Sequence, residues 1–182
     1  YDIPAYYMEH KKQQAVAMEN AKQVILDIAA EFEKISGRKY GLFETYKLDD
    51  AECALVIINS AAGTAKDAVD KLRAEGKKVG LLKIRVFRPF PAEEIAEALK
   101  NVKAIAVMDR CEGFSSQGGP LGAEVKSALY TAGATSKVVD YVYGIGGRDV
   151  RVENIEEVYN ALFDILETGN VGETYRYLSL RD

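Results

Sequence analysis

The residues of this sequence best suited to bind an anion are four arginines in a chain whose formal net charge is −4. Arginine presents a planar fork of donors that matches carboxylate and phosphate groups. The four are Arg85, Arg88, Arg110 and Arg148. Arg85 lies at the end of a predicted strand and the other three follow one, so in a parallel sheet they should collect at the carboxyl edge, where ligands and partners usually bind. The alternative is local ion pairing, for which the nearby carboxylates are Asp109, Glu112 and Asp149.

A short run of small residues, Ser60-Ala61-Ala62-Gly63-Thr64, joins a predicted strand to a predicted helix. Ser60 or Thr64 could cap that helix, and a helix start of this kind can hold an anion. The run contains neither the GxGxxG pattern of dinucleotide sites nor the GK[ST] pattern of a P-loop. A plain tight turn is therefore the favoured reading over a phosphate-binding loop.

Two glycine-rich loops complete the predicted edge. The first, Gly113–Pro120, contains the pair Gly118-Gly119, and the second, Gly144–Asp149, leads into the last helix. Glycines permit positive φ and close backbone approach. The prolines of Arg88-Pro89-Phe90-Pro91 are explained by a strand end followed by a helix start at Pro91. The candidate contact residues for a ligand or a partner subunit are Ser60, Thr64, Arg88, Arg110, Gly118, Gly119, Arg148 and Asp149.

No catalytic residue and no metal ligand is predicted. His10 is the single histidine and lies among lysines, which favours a solvated helix residue over a metal ligand. Cys53 and Cys111 are too few for an iron–sulfur cluster and too far apart for a CxxC pair. Arg110 could lower the pKa of the Cys111 thiol, but no histidine near it in sequence would complete a nucleophilic pair.

The composition excludes several classes of function. A pI near 5.2 argues against a nucleic-acid surface, and no apolar run approaches the ~20 residues that span a bilayer. The first residues lack the basic and apolar regions of a signal peptide. Two isolated cysteines suggest reduced thiols and a cytoplasmic location. The absence of an initiator methionine suggests a piece of a longer protein.

Hydrophobic periodicity places these residues in an α/β fold. A long amphipathic helix is predicted over residues 10–35, ended by Gly37. Four strand–helix units follow, without a hairpin signal between them. The predicted strands are 54–58, 79–86, 104–108 and 137–142, and the predicted helices are 64–75, 91–100, 120–130 and 153–166. This order predicts a three-layer arrangement, with a mostly parallel sheet and helices on both faces.

Several phrases, taken together, resemble the α subunits of the 2-oxoacid:ferredoxin oxidoreductases, especially those acting on pyruvate. Each is weak alone, but their order and spacing match the family over nearly the whole chain. They are Ala17-Met18-Glu19-Asn20-Ala21, Gly37-Arg38-Lys39-Tyr40, Val79-Gly80-Leu81-Leu82-Lys83 through Arg88-Pro89-Phe90-Pro91, Val107-Met108-Asp109-Arg110, Gly118-Gly119-Pro120-Leu121 and Tyr143-Gly144-Ile145-Gly146-Gly147-Arg148-Asp149-Val150. The sequence departs from relatives at Arg151-Val152, where Thr-Pro is frequent.

The resemblance implies a fold similar to the carboxyl-terminal domain of transketolase over residues 49–182. Residues 1–48 would form an arm and long helix linking to a preceding α-subunit domain. The family complex uses thiamine diphosphate, magnesium, iron–sulfur clusters and CoA to convert pyruvate to acetyl-CoA and CO2 and to reduce ferredoxin. None of these cofactors would be bound by this fragment, which would be inactive alone and would contribute subunit packing.

The implied partners are the β, γ and δ subunits and the preceding α domain. Ferredoxin would be an indirect partner, and neither nucleic acid nor a membrane would be bound. The candidate residues above would then contact substrate, CoA or another subunit. Alternatives remain open. Sister enzymes act on 2-oxoglutarate or branched 2-oxoacids, although the phrase from Gly146 to Val150 favours pyruvate. A transketolase-type or dehydrogenase E1 domain, or a free-standing anion- or nucleotide-binding module, would share the fold.

Overall fold

A computed structural model describes residues 3–181, and the internal contacts of the chain divide it into two units. Unit 1 contains the residues up to Phe43 together with Arg85–Pro91. Unit 2 contains Glu44–Ile84 and the residues from Ala92 onward. No helix within residues 3–181 is both long and apolar enough to cross a membrane.

Unit 1 is dominated by one helix, α1, which spans Tyr7–Ser36 and begins three residues earlier than the sequence predicts. The predicted end is confirmed: Gly37 adopts φ 67° and donates its N–H to the Glu33 carbonyl at 2.8 Å. Beyond this cap the Tyr40 ring packs against Phe32, with 5.8 Å between ring centroids. The Arg88–Pro89 peptide bond in this unit is cis.

The sheet has six strands in the order β1-β3-β2-β4-β5-β6. Their bounds are Phe43–Tyr46 for β1, Cys53–Ile58 for β2, Val79–Ile84 for β3, Ala104–Asp109 for β4, Lys137–Val142 for β5 and Tyr175–Tyr177 for β6. Every pair from β3 through β6 is parallel. The central strands β2 and β4 are buried on both faces, which explains why they read as continuous apolar runs rather than alternating ones.

Two pairs of helices cover the two faces of this sheet. The helices of unit 2 are α2 (Ala61–Ala74), α3 (Ala92–Leu99), α4 (Pro120–Thr131) and α5 (Val152–Thr168). Helices α2 and α5 pack together on one face, and α3 and α4 pack together in the other helical layer. The predicted three-layer α/β architecture is therefore confirmed.

The core consists of apolar side chains between these layers, and it admits few polar groups. On the face covered by α2 and α5, Leu55 and Ile57 of β2 meet Tyr159 and Leu162 of α5 in one buried cluster. The Tyr159 hydroxyl donates to the Gly80 carbonyl at 2.8 Å. Apart from tyrosines and Cys53, the only polar or charged side chains buried among residues 3–181 are those of Asp109 and Asp140.

The predicted strands and helices are all present, with bounds that differ by a few residues. Helix α2 begins at Ala61 rather than Thr64, and β3 ends at Ile84 rather than Val86. The three-residue strand β6 was not predicted. The division of the chain at residue 48 stays a prediction, since the contacts place a boundary after Phe43 and group Arg85–Pro91 with the first unit.

Candidate functional site

The strand order places a topological switch point between β2 and β4. From β2 the chain passes through α2 to β3 on one side, and then through α3 to β4 on the other side. Loops leaving the carboxyl ends of β2 and β4 therefore diverge and leave a crevice between them. In open α/β sheets this is the usual position of a ligand site.

A pocket of about 220 Å³ lies at this point. The loops after β2, β4 and β5 line it, with Ser60, Ala61, Thr64, Arg110, Tyr143, Gly144, Gly147, Arg148, Asp149 and Val150. Five of the eight predicted contact residues are among them: Ser60, Thr64, Arg110, Arg148 and Asp149. The predicted convergence of loops at one edge of the sheet is thus observed for three of the four loops.

Two arginines of the pocket bond to backbone carbonyls rather than to acids. Arg110 donates from Nε to the Gly144 carbonyl at 3.2 Å, and Arg148 donates to the Ser179 carbonyl. Within residues 3–181 neither guanidinium forms an ion pair. The alternative of local pairing with carboxylates is therefore wrong for these two arginines.

The three acids considered as partners are engaged elsewhere. Both oxygens of Asp109 accept backbone N–H groups at the start of α4. Glu112 accepts the Phe114 N–H at 2.5 Å and the Tyr177 hydroxyl. Asp149 lies in the pocket, but its Oδ1 accepts the Val150 N–H at 2.9 Å. The pocket therefore contains two cationic groups and one carboxylate.

The amino terminus of α2 opens into the same pocket without a side-chain cap. Ser60 occupies the N-cap position in helical conformation and forms no capping hydrogen bond, so the predicted cap is wrong. The first turn of α2 contains no acidic residue. The positive end of the helix dipole is consequently not neutralised by its own first turn.

Tyr143 is a pocket residue that the sequence analysis missed. It lines the pocket and is only 5% exposed. Burial raises the pKa of the Tyr143 hydroxyl, against a lowering effect from Arg110, so the phenol is protonated at neutral pH. Its position at the end of a strand, directly before a glycine-rich turn, was the available signal.

Gly118 and Gly119 lie outside the lining of this pocket and allow two buried carboxylates to approach α4. A Cβ at Gly119 would meet the Asp109 side chain at 2.4 Å, and one at Gly118 would meet Asp140 at 2.5 Å. A third glycine, Gly122, would place a Cβ 2.5 Å from Asp140. The glycine-rich loop thus has a structural explanation in the packing of β4 and β5 against α4.

Asp140 is the buried acid with the strongest electrostatic perturbation. It is fully buried in β5, its Oδ2 accepts the Gly119 N–H at 2.5 Å, and its Oδ1 has no partner among residues 3–181. Burial raises the pKa of Asp140 to about 7; the Gly119 N–H opposes this rise and the Asp109 carboxylate adds to it. Lys126 also favours the charged form of Asp140.

Arg88 is not among the residues that line the pocket. It belongs to unit 1, where its guanidinium lies 4.1 Å from the centroid of the Phe87 ring and donates to the Phe87 carbonyl at 2.9 Å. The whole segment Arg85–Pro91 belongs to unit 1. The sequence had predicted this segment at the carboxyl edge of the sheet, with the other loops.

The donor chemistry does not fit the metals and clusters that the resemblance implies for the whole complex. Within residues 3–181 no group of three or more His, Cys, Asp or Glu side chains could hold a metal ion. Cys53 is buried and Cys111 is exposed. Although Cys111 is exposed as a residue, partial desolvation of its thiol and the Asp109 carboxylate raise the pKa of Cys111, which is the opposite of what an activated thiol requires.

A larger cavity, about 590 Å³, is lined by acids as well as lysines. Glu52, Lys77, Lys103 and Phe163 are among its lining residues, at the end of the sheet where β2 begins. Lys103 pairs with Glu52 at 3.0 Å, and the Lys77 ammonium lies 5.0 Å from the Phe163 ring centroid. Size alone therefore does not identify the functional pocket.

Residues 51–155 match the family model described as pyruvate:ferredoxin oxidoreductase core domain II. That match covers more than half of the 182 residues. The chain belongs to this family. Over 181 residues it is 45% identical to the pyruvate synthase subunit PorA of Thermotoga maritima, covering 100% of this chain and 45% of the relative.

Other relatives give the same assignment to the family. The pyruvate synthase subunit PorA of Methanocaldococcus jannaschii is 45% identical over 160 residues, which is 87% of this chain and 40% of the relative. The ketoisovalerate oxidoreductase subunit VorA of Pyrococcus horikoshii is 40% identical over 179 residues, which is 98% of this chain and 45% of the relative. The chain thus spans less than half the length of these relatives.

A solved structure supports the fold. It is a 2-oxoglutarate:ferredoxin oxidoreductase from Magnetococcus marinus with 2-oxoglutarate, coenzyme A and succinyl-CoA bound. It has a TM-score of 0.51 at 18% sequence identity, covering 70% of this chain and 20% of that chain. At this identity the likeness concerns the fold alone.

Proposed function

We propose that this chain is a non-catalytic assembly domain of the α subunit of a pyruvate:ferredoxin oxidoreductase. The complex would convert pyruvate, CoA and oxidised ferredoxin to acetyl-CoA, CO2 and reduced ferredoxin. The observation that carries the proposal is 45% identity to a pyruvate synthase subunit over the full length of the chain.

The cofactors of such a complex would be held outside this chain. Thiamine diphosphate, magnesium and the iron–sulfur clusters would be bound by other domains or subunits. The proposed partners are the β, γ and δ subunits and the remainder of the α subunit, with ferredoxin meeting the cluster-bearing part, and the proposed location is the cytoplasm. Residues 1–48 would connect the α/β domain of residues 49–182 to that remainder.

Within the complex, the switch-point pocket would contact CoA, substrate or another subunit. Arg110 and Arg148 have donors left over after their single backbone contacts, and an uncapped helix terminus lies beside them. Gly118 and Gly119 would act through the packing of α4. Arg88, from unit 1, stays a candidate for a separate subunit contact.

The alternative substrate is a branched 2-oxoacid. A ketoisovalerate oxidoreductase subunit is 40% identical over 98% of this chain, only slightly below the pyruvate synthase subunits. Because this domain would not form the 2-oxoacid site, its sequence discriminates weakly between substrates.

The test is reconstitution of the complete complex, using the full α subunit that contains this chain and the neighbouring gene products. Viologen reduction would be followed with thiamine diphosphate, magnesium and CoA, and with pyruvate, 2-oxoglutarate or 2-ketoisovalerate as substrate. We expect pyruvate to give the highest kcat/KM. A preference for 2-ketoisovalerate would replace the proposed substrate, and an assembled complex inactive on every 2-oxoacid would overturn the proposal.

A further inference from the structure

We propose that the end of the sheet at β6 is a docking surface for another subunit, whose contact segment carries an apolar side chain beside a carboxylate. This surface, called the β6 surface, consists of Phe114, Ile145, Arg148, Tyr177 and Leu180. All five residues belong to unit 2. The inference rests on the assembly role proposed above, and it deepens that role by naming the surface and the chemistry of its partner.

The exposed apolar side chains of unit 2 are concentrated at the β6 surface. In the part of unit 2 that the structure describes, five large hydrophobic side chains are exposed. Four of them belong to this surface: Phe114 is 97% exposed, Leu180 72%, Ile145 50% and Tyr177 47%. The fifth, Tyr130, lies near the end of α4. Single exposed apolar side chains are ordinary, whereas a group of them marks an interaction site.

A cavity of about 270 Å³ connects three of these side chains. The exposed Ile145, Tyr177 and Leu180 line it together with the buried Val142 and Leu178. Strand β6 is the last strand of the sheet, so among residues 3–181 no further strand lies beside it. An apolar side chain of a partner could enter this cavity and exclude water, as the central contacts of stable interfaces do.

Phe114 is attached to the same surface through Glu112. One carboxylate oxygen of Glu112 accepts the Phe114 N–H at 2.5 Å, and the other accepts the Tyr177 hydroxyl. The bond from Tyr177, followed by that from Phe114, lowers the pKa of Glu112, so its carboxylate is charged at neutral pH. Phe114 has φ 53°, a left-handed conformation that is uncommon for a bulky residue. A strained residue that holds an aromatic ring in solvent suits a contact with a partner.

Leu180 is exposed by a second left-handed residue. Ser179 has φ 61°, and its carbonyl accepts a hydrogen bond from Arg148. The residue before it, Leu178, is buried at 5% exposure, and the residue after it, Leu180, is exposed. The turn at Ser179 thus separates a core side chain from one that is available to a partner.

Arg148 determines the charge that the partner should carry. Its guanidinium lines the cavity, and within residues 3–181 it forms no ion pair. A guanidinium has five N–H donors, so donors remain after the bond to the Ser179 carbonyl. The nearby acids have other contacts, Asp149 with the Val150 N–H and Glu112 as described. A carboxylate of the partner would pair with Arg148 through charge-assisted hydrogen bonds.

The experiment measures the affinity between subunits. The full α subunit that contains this chain is titrated by biolayer interferometry with separately purified β, γ and δ subunits, and with a second preparation of itself. The variants are Phe114→Asn, Leu180→Ser and Arg148→Glu; asparagine tolerates positive φ better than most residues. Tyr130→Ser is the matched control, because Tyr130 is an exposed aromatic residue of unit 2 outside the surface. Thermal unfolding of each α subunit verifies that it is folded.

We expect one of the three subunits to bind the parent α subunit. Each of the three variants should weaken that binding about tenfold or more, and Tyr130→Ser should leave it unchanged. The unfolding temperature of the α subunit alone should not change. An assembled complex whose affinity depends on these residues, but which is inactive on every 2-oxoacid, would support this inference while overturning the proposed function.

Three results would overturn the inference. The first is that no subunit binds the parent, or that the three variants bind as tightly as the parent. The second is a lowered unfolding temperature of the α subunit alone with unchanged affinity for the other subunits, which would assign the surface to the remainder of the α subunit. The third is a loss confined to self-association, which would assign the surface to a second copy of the chain.

Discussion

Asp140 offers the sharpest prediction about stability, because a fully buried carboxyl group in β5 controls a pH-dependent free energy of unfolding. Burial raises its pKa from 3.8 to about 7. The folded chain therefore retains a proton that the unfolded chain releases, and the native state binds more protons between these two values. Stability then falls as the pH rises from about 4 to about 7, and it is constant with respect to this group above that range.

The magnitude follows from the same numbers. The difference between 3.8 and about 7 is about three pH units, and each unit corresponds to about 1.36 kcal/mol. The charged carboxylate should therefore cost on the order of 4 kcal/mol at alkaline pH relative to acidic pH. Asp140→Asn keeps the shape of the side chain and an oxygen that can accept the Gly119 N–H, but it cannot ionise.

The assay is urea denaturation of parent and variant at intervals from pH 5 to pH 9. The variant should already be more stable by about 1–2 kcal/mol at pH 5, which lies above the unfolded pKa of 3.8, and by about 4 kcal/mol at pH 9. Lys126→Met should enlarge the effect, since Lys126 favours the charged form of Asp140. Asp67→Asn, an exposed acid on α2, controls for the loss of one negative charge.

Two results would refute this reasoning. A difference between parent and Asp140→Asn that does not change with pH would show that the carboxyl group does not titrate in this range. A variant less stable than the parent at pH 9 would show that the carboxylate is charged and well solvated by its neighbours.

Three further predictions concern other parts of the fold. Gly122→Ala should destabilise the chain by about 1–3 kcal/mol, because the added Cβ would lie 2.5 Å from Asp140. Gly63→Ala has open space around it in α2 and should stabilise the chain by up to about 1 kcal/mol. Chemical denaturation shows whether each substitution raises or lowers the free energy of unfolding. Tyr159→Phe should cost about 1–3 kcal/mol because it leaves the buried Gly80 carbonyl without this donor, and an unchanged midpoint would contradict that estimate. Burial raises the pKa of Cys53 to about 12, and partial desolvation and Asp109 raise the pKa of Cys111. The exposed Cys111 thiol should therefore react slowly with a disulfide reagent at pH 7.5, and the buried Cys53 thiol only after unfolding. Rapid reaction of Cys111 would contradict its assigned environment.

The α/β framework was predictable because its strongest signals are local. Strand β2 is a continuous apolar run of six residues, β4 has five apolar residues before Asp109, and the helices between strands show clear amphipathic periodicity. Strand β6 carries no such signal. Its three residues, Tyr-Arg-Tyr, are recruited by pairing with Asp140–Val142 of β5, a long-range contact that periodicity does not encode.

Part of the pocket was predictable by the same logic. A parallel sheet brings the loops after its strands to one edge, so Arg110 and Arg148 could be expected together. The position of the Arg85–Pro91 segment was not predictable, because its assignment to unit 1 depends on contacts with residues such as Leu42 and Tyr40 that are distant in sequence.

The roles of the glycines and of Asp140 could be assigned only from the structure. An acid within the apolar run of β5 and a pair of glycines before α4 are visible in the sequence, but nothing in their spacing of about twenty residues links them. In the structure the Asp140 carboxylate accepts the Gly119 N–H and lies where Cβ atoms of Gly118 and Gly122 would be. Tyr143 is a similar case, since only its buried position in the lining of the pocket distinguishes it from the other tyrosines.

The most direct test of the central claim compares viologen reduction by the 182-residue chain alone with that of the reconstituted complex, each supplied with pyruvate, CoA, thiamine diphosphate and magnesium. The chain alone should be inactive, and the complex should reduce viologen only when both pyruvate and CoA are present. Deletion of this domain from the α subunit should abolish activity together with assembly, as judged by size-exclusion chromatography. Pyruvate-dependent reduction by the isolated chain, or full activity of a complex that lacks the domain, would contradict its role as a non-catalytic assembly domain.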